Sequence, residues 1–318
     1  MQSIKLTSPL TWLRALICMA AVGVPCVCAM GAPAAKQPAP KPEAHQVAFG
    51  SPEEAVTALV GAVSADDTPR LTGILGKDAM KAYSSGDTVA DKGAHQRFLA
   101  AYGESHQIKM ESDSKAVVEV GKASWPLPIP LRRQGDKWFF SAREGLQEII
   151  NRHVGANELS AIQVCLAIVD AQREYATQDR DDNGMLEYAR KFVSSKGKRD
   201  GLYWESSEGE PQSPLGPLVA KARGEGYAAQ PYHGYFYRML EAQGKAASGG
   251  AYGYVRNGKM IGGFALVAYP ARYGGSGVMT FIVNQEGVVY QKDLGPDTAS
   301  AAKRMKRFDP DRTWQRAS

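Results

Sequence analysis

The chain has 318 residues, 44% of them hydrophobic and 22% charged, with a net charge of +5. Once a leader is removed, about 270 residues would remain, which is enough for two modest domains with separate cores. The charge excess is too small to favour a nucleic-acid-binding protein, because such proteins cluster many Lys and Arg residues on one face.

The first 29 residues are typical of a secretory signal peptide. Lys5 and Arg14 supply positive charge, and the mostly apolar run Leu13–Ala29 is short and interrupted for a membrane span. Val27–Ala29 ends the run with a small residue that signal peptidase accepts. We therefore expect cleavage after Ala29, a periplasmic or secreted location, and no stable membrane span afterwards. An uncleaved anchor is the alternative.

Cysteine usage agrees with a mature chain that has no internal disulfide. Three of the four cysteines lie in the predicted signal peptide, and only Cys165 remains. Cys165 lies within an apolar helical pattern, which favours a buried structural thiol over a nucleophile. Residues 30–48 are rich in Pro and Ala, and they predict a semi-extended linker.

Residues 49–154 predict a first α+β domain in which helices precede strands. Ser51 and Pro52 are typical of a helix start, and further helices are predicted from Asp67 and over 91–102. Strands are predicted over 116–120, 127–133 and 137–140, and the prolines in the second make it an edge strand or an irregular crossing. Helices followed by a curved antiparallel sheet resemble the NTF2-like cone.

Residues 155–318 predict a second α+β domain. Gly155 is expected to break a connecting helix, and a long helix follows over 158–177, with Leu159, Ile162, Leu166 and Val169 on its buried face. Residues 201–226 are rich in Gly, Pro, Glu and Ser and predict a long surface connection. Short antiparallel strands are predicted over 231–295, and a closing helix over 296–308.

Several long motifs resemble a secreted bacterial family known as domain of unknown function 2950. They are AIQVCLAIVDAQREYA, DGLYW, SPLGPLVA, PYHGYFYRML and GGFALVAYPARYGGSGVMTFIVNQEGVVYQKDLGPDT. The resemblance covers the chain from Phe49 to Trp314, and it implies no activity.

A more distant resemblance links the second domain to the globular head of type IV pilins and pseudopilins. An AQREYA motif (171–176) ends a long helix, and an irregular loop and a tyrosine-rich antiparallel sheet follow. The chain departs from pilins because this helix is amphipathic and starts at Glu158, after another domain. The resemblance therefore implies a pilin-like head that does not polymerise through a pilin stalk.

The segment 179–187 (DRDDNGMLE) is similar to a calcium-binding loop. Asp179, Asp181 and Asn183 supply oxygen ligands at alternate positions, and a Gly follows. The twelfth position, which requires a bidentate Glu, is Arg190, so Glu187 is the candidate substitute. We predict a weak calcium site, and a metal-free Asx-rich turn is the alternative.

Groups that would support catalysis are few. The five histidines have no metal-ligand spacing, and His233 is a candidate general base without an obvious nucleophile near it in sequence. The run 274–277 (GGSG) is a hairpin loop rather than a nucleophile elbow, because a Val stands where the final Gly belongs.

The strongest chemical bias of the chain is its tyrosine-rich segment, which holds Tyr227, Tyr232, Tyr235, Tyr237, Tyr252, Tyr254, Tyr269, Tyr273 and Tyr290. Strand alternation would turn about half of the strand tyrosines toward the helix. The others are candidates to bind a glycan or an envelope protein. We therefore hypothesise a non-catalytic cell-envelope binding or assembly module. The alternative is a small-molecule-binding protein or hydrolytic enzyme that uses a pocket in the first domain, with Asp87, Asp91 or His95 as acid–base groups.

Overall fold

Residues 41–83, 87–180, 184–207, 209–228 and 231–317 are described by a computed structural model, which shows an α+β protein with antiparallel sheets. The predicted signal peptide 1–29 and residues 30–40 of the predicted linker lie outside these ranges. The described residues belong to one compact unit that contains two hydrophobic cores.

The first core is built on helices that start where local sequence signals place them. These helices are α1 (Pro52–Ser64), α2 (Thr68–Leu75), α3 (Lys77–Tyr83) and α4 (Thr88–Glu104). Ser51, Asp67 and Asp87 each accept a hydrogen bond from the backbone amide three residues further on, so each caps the helix that follows it. The cap at Asp87 starts α4 three residues before the predicted position, and α3 was not predicted.

An antiparallel sheet closes the first core. Its strands are β1 (His106–Ser112), β2 (Lys115–Val120), β3 (Trp125–Pro126), β4 (Leu131–Gln134) and β5 (Lys137–Phe140). The order is β1-β2-β4-β5, and β3 pairs with the end of β2. The predicted strand 127–133 survives only as β4, because the segment before it contains prolines that donate no ladder hydrogen bond. The largely exposed strand β1 was not predicted.

One helix, α5 (Ala142–Tyr175), contributes side chains to both cores. The predicted break at Gly155 is wrong, since the helix continues through it. A helix-interior Gly costs only about 1 kcal/mol relative to Ala, and packing on both sides of Gly155 outweighs that cost. The domain boundary predicted between residues 154 and 155 therefore falls inside α5.

The second core lies between α5 and a second antiparallel sheet, which also has five strands. The remaining elements are α6 (Gly216–Glu225), β6 (Tyr235–Leu240), β7 (Ala242–Gln243), β8 (Tyr252–Gly253), β9 (Val255–Arg256), β10 (Lys259–Met260), β11 (Ala265–Pro270), β12 (Met279–Asn284), β13 (Tyr290–Asp293), α7 (Thr298–Arg304) and β14 (Gln315–Arg316). The sheet has the order β14-β13-β12-β11-β6, and β7–β8 and β9–β10 form two small hairpins.

Helices cover both faces of this sheet. On β6, Met239 contacts Gln172 of α5, while its neighbour Arg238 donates a hydrogen bond to the carbonyl of Ala302 in α7 at 2.6 Å. Because successive strand residues point to opposite faces, α5 and α7 lie on opposite sides of the sheet. This sandwich explains why every residue of β11 is buried.

Two further predictions for this half are wrong. The segment 201–226 is not only a surface connection, since it contains α6, which ends at Gly226 in the left-handed conformation (φ 100°). Leu159, placed on the buried face of the long helix, is 62% exposed. The rest of that predicted face is confirmed, since Val169 is buried and Ile162 and Leu166 pack half-buried against the second core. Ala161, Cys165 and Ile168 complete the buried face.

The described end of the predicted linker packs on the first core. The Gln46 amide donates hydrogen bonds to the carbonyls of Ile74 at 2.9 Å and Phe140 at 2.7 Å. Phe49 pairs with Trp138 of β5. Residues 46–49 therefore extend the fold of the first core.

Among the described residues, α5 is the helix that is long and apolar enough to cross a membrane by length and composition. Buried core helices share both properties, and α5 carries such core positions.

The two interior glycines of α5 provide a matched test of this architecture. A Cβ at Gly145 would press against the carbonyl of Pro128 and lie 2.8 Å from the Ile129 Cα, whereas a Cβ at Gly155 meets nothing within 4 Å. We expect Gly145→Ala to lower the free energy of unfolding by about 3 kcal/mol through overpacking. Gly155→Ala should raise it by about 0.5–1 kcal/mol through helix propensity. Denaturant titration measures both, and equal effects would contradict the close approach at Gly145.

Candidate functional site

A cavity of about 440 Å³ lies between the helices and the sheet of the first core. Its side chains come from α1, α2, α4, the sheet and the first half of α5, so it forms only when these elements assemble. The floor is apolar and consists of Leu59, Val63, Leu71, Leu75, Phe98, Val120, Ile129, Phe140 and Ile149. Small-ligand sites typically have volumes of about 300–1,000 Å³ and apolar walls of this kind.

Cationic and aromatic side chains lie at the edge of this cavity. Arg97 on α4 is exposed, and no hydrogen bond or ion pair joins its guanidinium to another described residue. Arg152 on α5 donates to Glu148 at 2.7 Å and to the Pro126 carbonyl at 3.0 Å. Its guanidinium carbon lies 5.1 Å from the centre of the Trp125 ring, which is 58% exposed.

His153 is the third polar residue of the cavity. Burial lowers its pKa, Asp91 opposes that shift, and Arg272 and Arg97 reinforce it. The site therefore favours the neutral form of the imidazole. A neutral imidazole that lies near Arg97 and Arg272 is suited to form a hydrogen bond with an anionic group.

The acid–base groups considered in the sequence do not line this cavity. The buried Asp87 carboxylate instead accepts hydrogen bonds from the Tyr227 hydroxyl at 2.7 Å and the Gly234 amide at 3.1 Å. His95 lies 3.7 Å from Asp66. Among the described residues, no carboxylate, hydroxyl or thiol side chain lines the cavity.

The predicted calcium loop is only partly described. Asp181 and Asn183 lie outside the described residues. The Asp179 carboxylate accepts a hydrogen bond from the Gly184 amide at 2.7 Å, and Glu187 accepts from Lys259 at 3.1 Å. No group of three or more metal-ligating side chains occurs in the described part of the chain. Calcium binding at Asp179, Asp181, Asn183 and Glu187 stays a prediction.

The tyrosine-rich sheet is largely a core. Six of the nine tyrosines are buried, namely Tyr227, Tyr232, Tyr235, Tyr237, Tyr254 and Tyr269. Tyr252, Tyr273 and Tyr290 are half-buried. Cys165 is fully buried, and burial raises the pKa of its thiol. The sheet therefore uses most of its aromatic residues for packing.

His233 lies beside this core with two carboxylates nearby. Its ring is 3.6 Å from Glu225 and packs against Tyr232 with ring centres 4.1 Å apart. Burial lowers its pKa, while Glu225 and Asp87 oppose the shift. These contacts give His233 a packing role at the end of β6.

The architecture defines a two-core α+β protein with an apolar cavity of small-molecule size. The family model described as protein of unknown function (DUF2950) matches residues 46–317, and the chain belongs to this family. The resemblance predicted from the long motifs is thus confirmed. Comparisons with curated proteins and with solved structures give no match.

The lowered pKa values of His153 and His233 predict a loss of stability in mild acid. Both rings take up protons near pH 6.5 in the unfolded chain but at lower pH in the folded chain. The unfolded state therefore binds more protons as the pH falls from 7.5 to 5.5, and the free energy of unfolding decreases. Urea titrations at pH 7.5 and at pH 5.5 measure this decrease in the free energy of unfolding. His153→Gln should make the decrease smaller. An unchanged pH dependence in that variant would contradict the burial effect at His153.

The calcium prediction has a direct thermal test. Adding millimolar Ca²⁺ to chelator-treated protein should raise the melting temperature, because a ligand that binds only the folded state stabilises it. Asp179→Asn, which removes one carboxylate ligand, should reduce the rise. The same concentration of Mg²⁺ serves as a control for ionic strength. An unchanged melting temperature in Ca²⁺ would contradict the calcium site and favour the metal-free turn.

Proposed function

We propose that this protein is an exported, non-catalytic binding protein whose first-core cavity holds a small amphipathic molecule. The ligand has an apolar body, which the floor of the cavity encloses, and an anionic head, which lies near Arg97 and Arg152. The observation that carries this proposal is the cavity of about 440 Å³, with an apolar floor and cations at its edge.

The floor supplies most of the binding free energy. Burying one methylene group contributes about 0.8 kcal/mol, so an eight-carbon chain would gain roughly 6 kcal/mol before entropic costs. An apolar wall does not select among apolar ligands of similar size. Specificity must therefore come from the edge of the cavity.

The edge favours a negative charge. Arg97 has no ion-pair partner among the described residues, while Arg152 already holds Glu148 and is only 29% exposed. Arg97 is therefore the cation that is free to pair with a ligand. The neutral His153 beside it adds a hydrogen-bonding group without adding charge.

The side chains that line the cavity support binding rather than turnover. Hydrolysis needs a nucleophile or an activated water, together with a base positioned to take the proton. Among the described lining residues, His153 is the one side chain that could act as a base, and no acidic or nucleophilic side chain lines the cavity with it. Asp91, whose charge acts on the His153 ring, does not line the cavity. A hydrolytic role is thus the weaker alternative.

Two features support placing this function in the cell envelope. The leader predicts export, and α5 followed by an antiparallel sheet has the element order expected of a pilin-like head. The helices and sheet of the first core have the order expected of an NTF2-like cone. We propose that the cone binds the ligand and that the second half, through its half-buried tyrosines, contacts an envelope protein or glycan.

A chain-matched ligand series tests the proposal. We expect dodecanoate to bind more tightly than dodecanol and dodecylamine, measured by displacement of a dansylated fatty acid. Arg97→Ala should weaken dodecanoate binding about 5-fold, as expected for loss of an exposed ion pair worth roughly 1 kcal/mol. It should leave dodecanol binding unchanged.

Two controls complete this test. Arg143→Ala removes an exposed arginine of α5 that does not line the cavity, so it should affect no ligand. Ala101→Phe fills the cavity and should weaken all three ligands. If dodecanoate bound equally well to the filled variant, the cavity would not be the binding site.

A further inference from the structure

A second cavity, of about 560 Å³, is lined mainly by polar side chains. Its lining residues fall between positions 193 and 223, and none of them belongs to the first core. It is formed by the loop 193–205, by Glu210 and by Arg223 of α6. Among the described residues, four cations line it, namely Lys196, Lys198, Arg199 and Arg223, against two acids, Glu205 and Glu210. We call this cavity the basic groove.

Hydrogen bonds hold the loop of the basic groove in one shape. The Asp200 carboxylate accepts from the Ser195 amide at 2.7 Å, the Ser195 hydroxyl at 3.0 Å and the Lys191 ammonium at 2.6 Å. The Ser194 amide donates to the Tyr203 carbonyl at 2.8 Å. A Cβ at Gly201 would lie 2.7 Å from the Ser194 nitrogen, so only glycine fits this close crossing.

This anchoring leaves the loop's cations uncompensated. Burial alone would raise the pKa of Asp200, but the hydrogen bonds from Lys191 and Ser195 lower it to about 2. The negative charge of Asp200 is therefore paired with Lys191 and not with a cation of the basic groove. Within the described part of the chain, the ammonium groups of Lys196 and Lys198 have no ion pair or hydrogen bond, and both residues are exposed.

The two arginines of the basic groove are held over aromatic rings. The Arg199 guanidinium lies 5.6 Å from the centre of the buried Trp204 ring, and that of Arg223 lies 5.4 Å from the centre of the Tyr203 ring. Arg223 also contacts Glu205 at 3.4 Å, but both side chains are more than half exposed, so that ion pair contributes little. A ligand can therefore compete for Arg223 at small cost.

We propose that the basic groove binds a phosphate group. A preorganised loop that presents two lysines and an arginine within four residues, with a second arginine opposite, matches a multiply charged anion better than a single carboxylate. The phosphate belongs either to a free soluble compound or to a phospholipid headgroup. This site is independent of the amphipathic ligand proposed for the first core.

Inorganic pyrophosphate is a suitable probe, because it has no apolar part that would enter the first-core cavity. Isothermal titration at low salt should detect its binding to the full mature protein. Lys196→Ala/Lys198→Ala should weaken that binding at least 10-fold. The control Lys303→Ala/Lys306→Ala removes the same charge from another exposed basic cluster and should leave binding unchanged. All these lysines are exposed, so both double variants should keep the melting temperature of the parent.

The outcomes separate the two sources of phosphate. Binding of pyrophosphate but not of phosphatidylglycerol vesicles would indicate a soluble phosphorylated ligand. Binding of both, each weakened by Lys196→Ala/Lys198→Ala, would indicate a headgroup. The proposal is overturned if neither binds, or if the control double variant weakens binding as much as the groove variant, since that result would indicate only non-specific attraction to a positive protein.

Discussion

The continuity of α5 is the constraint on which the rest of this structure depends. Ile149 packs in the first core and Cys165 in the second, and at 1.5 Å per residue their separation along the axis is about 24 Å. A continuous helix also fixes the rotation between these two positions. The first core with its cavity and the sheet of the second core are therefore built on one rigid element.

Buried hydrogen bonds reinforce this connection. Asp87 caps α4 in the first half and accepts hydrogen bonds from Tyr227 and Gly234 in the second. Burial, with Asp87 next in effect, raises the pKa of Tyr227, so its hydroxyl stays a donor. A Cβ at Gly234 would lie 2.7 Å from the side-chain Nδ2 of Asn157. The backbone at Gly234 therefore packs closely against α5. Replacing Asp87 would leave buried donors unsatisfied in both halves.

Local signals predicted elements, and tertiary packing decided where they end. Ser51 and Asp67 were recognisable as caps because the capping bond spans three residues. Gly155 was misleading because helix propensity is weak beside packing in two cores. The helix α6 was missed because its segment is rich in Gly and Pro, although Pro217 in its first turn and Gly226 after its end are typical of helix boundaries.

The candidate sites were less predictable than the elements, because their chemistry depends on which charges stay unpaired. Arg97 and Arg152 are 55 positions apart in sequence and meet at one cavity only after folding. The sequence does not show that Glu148 forms an ion pair with Arg152, or that Asp200 forms one with Lys191. A modest net charge is thus compatible with two local clusters of cations. Acidic side chains elsewhere in the chain lower the net charge, but they do not neutralise the arginines and lysines that line the two cavities.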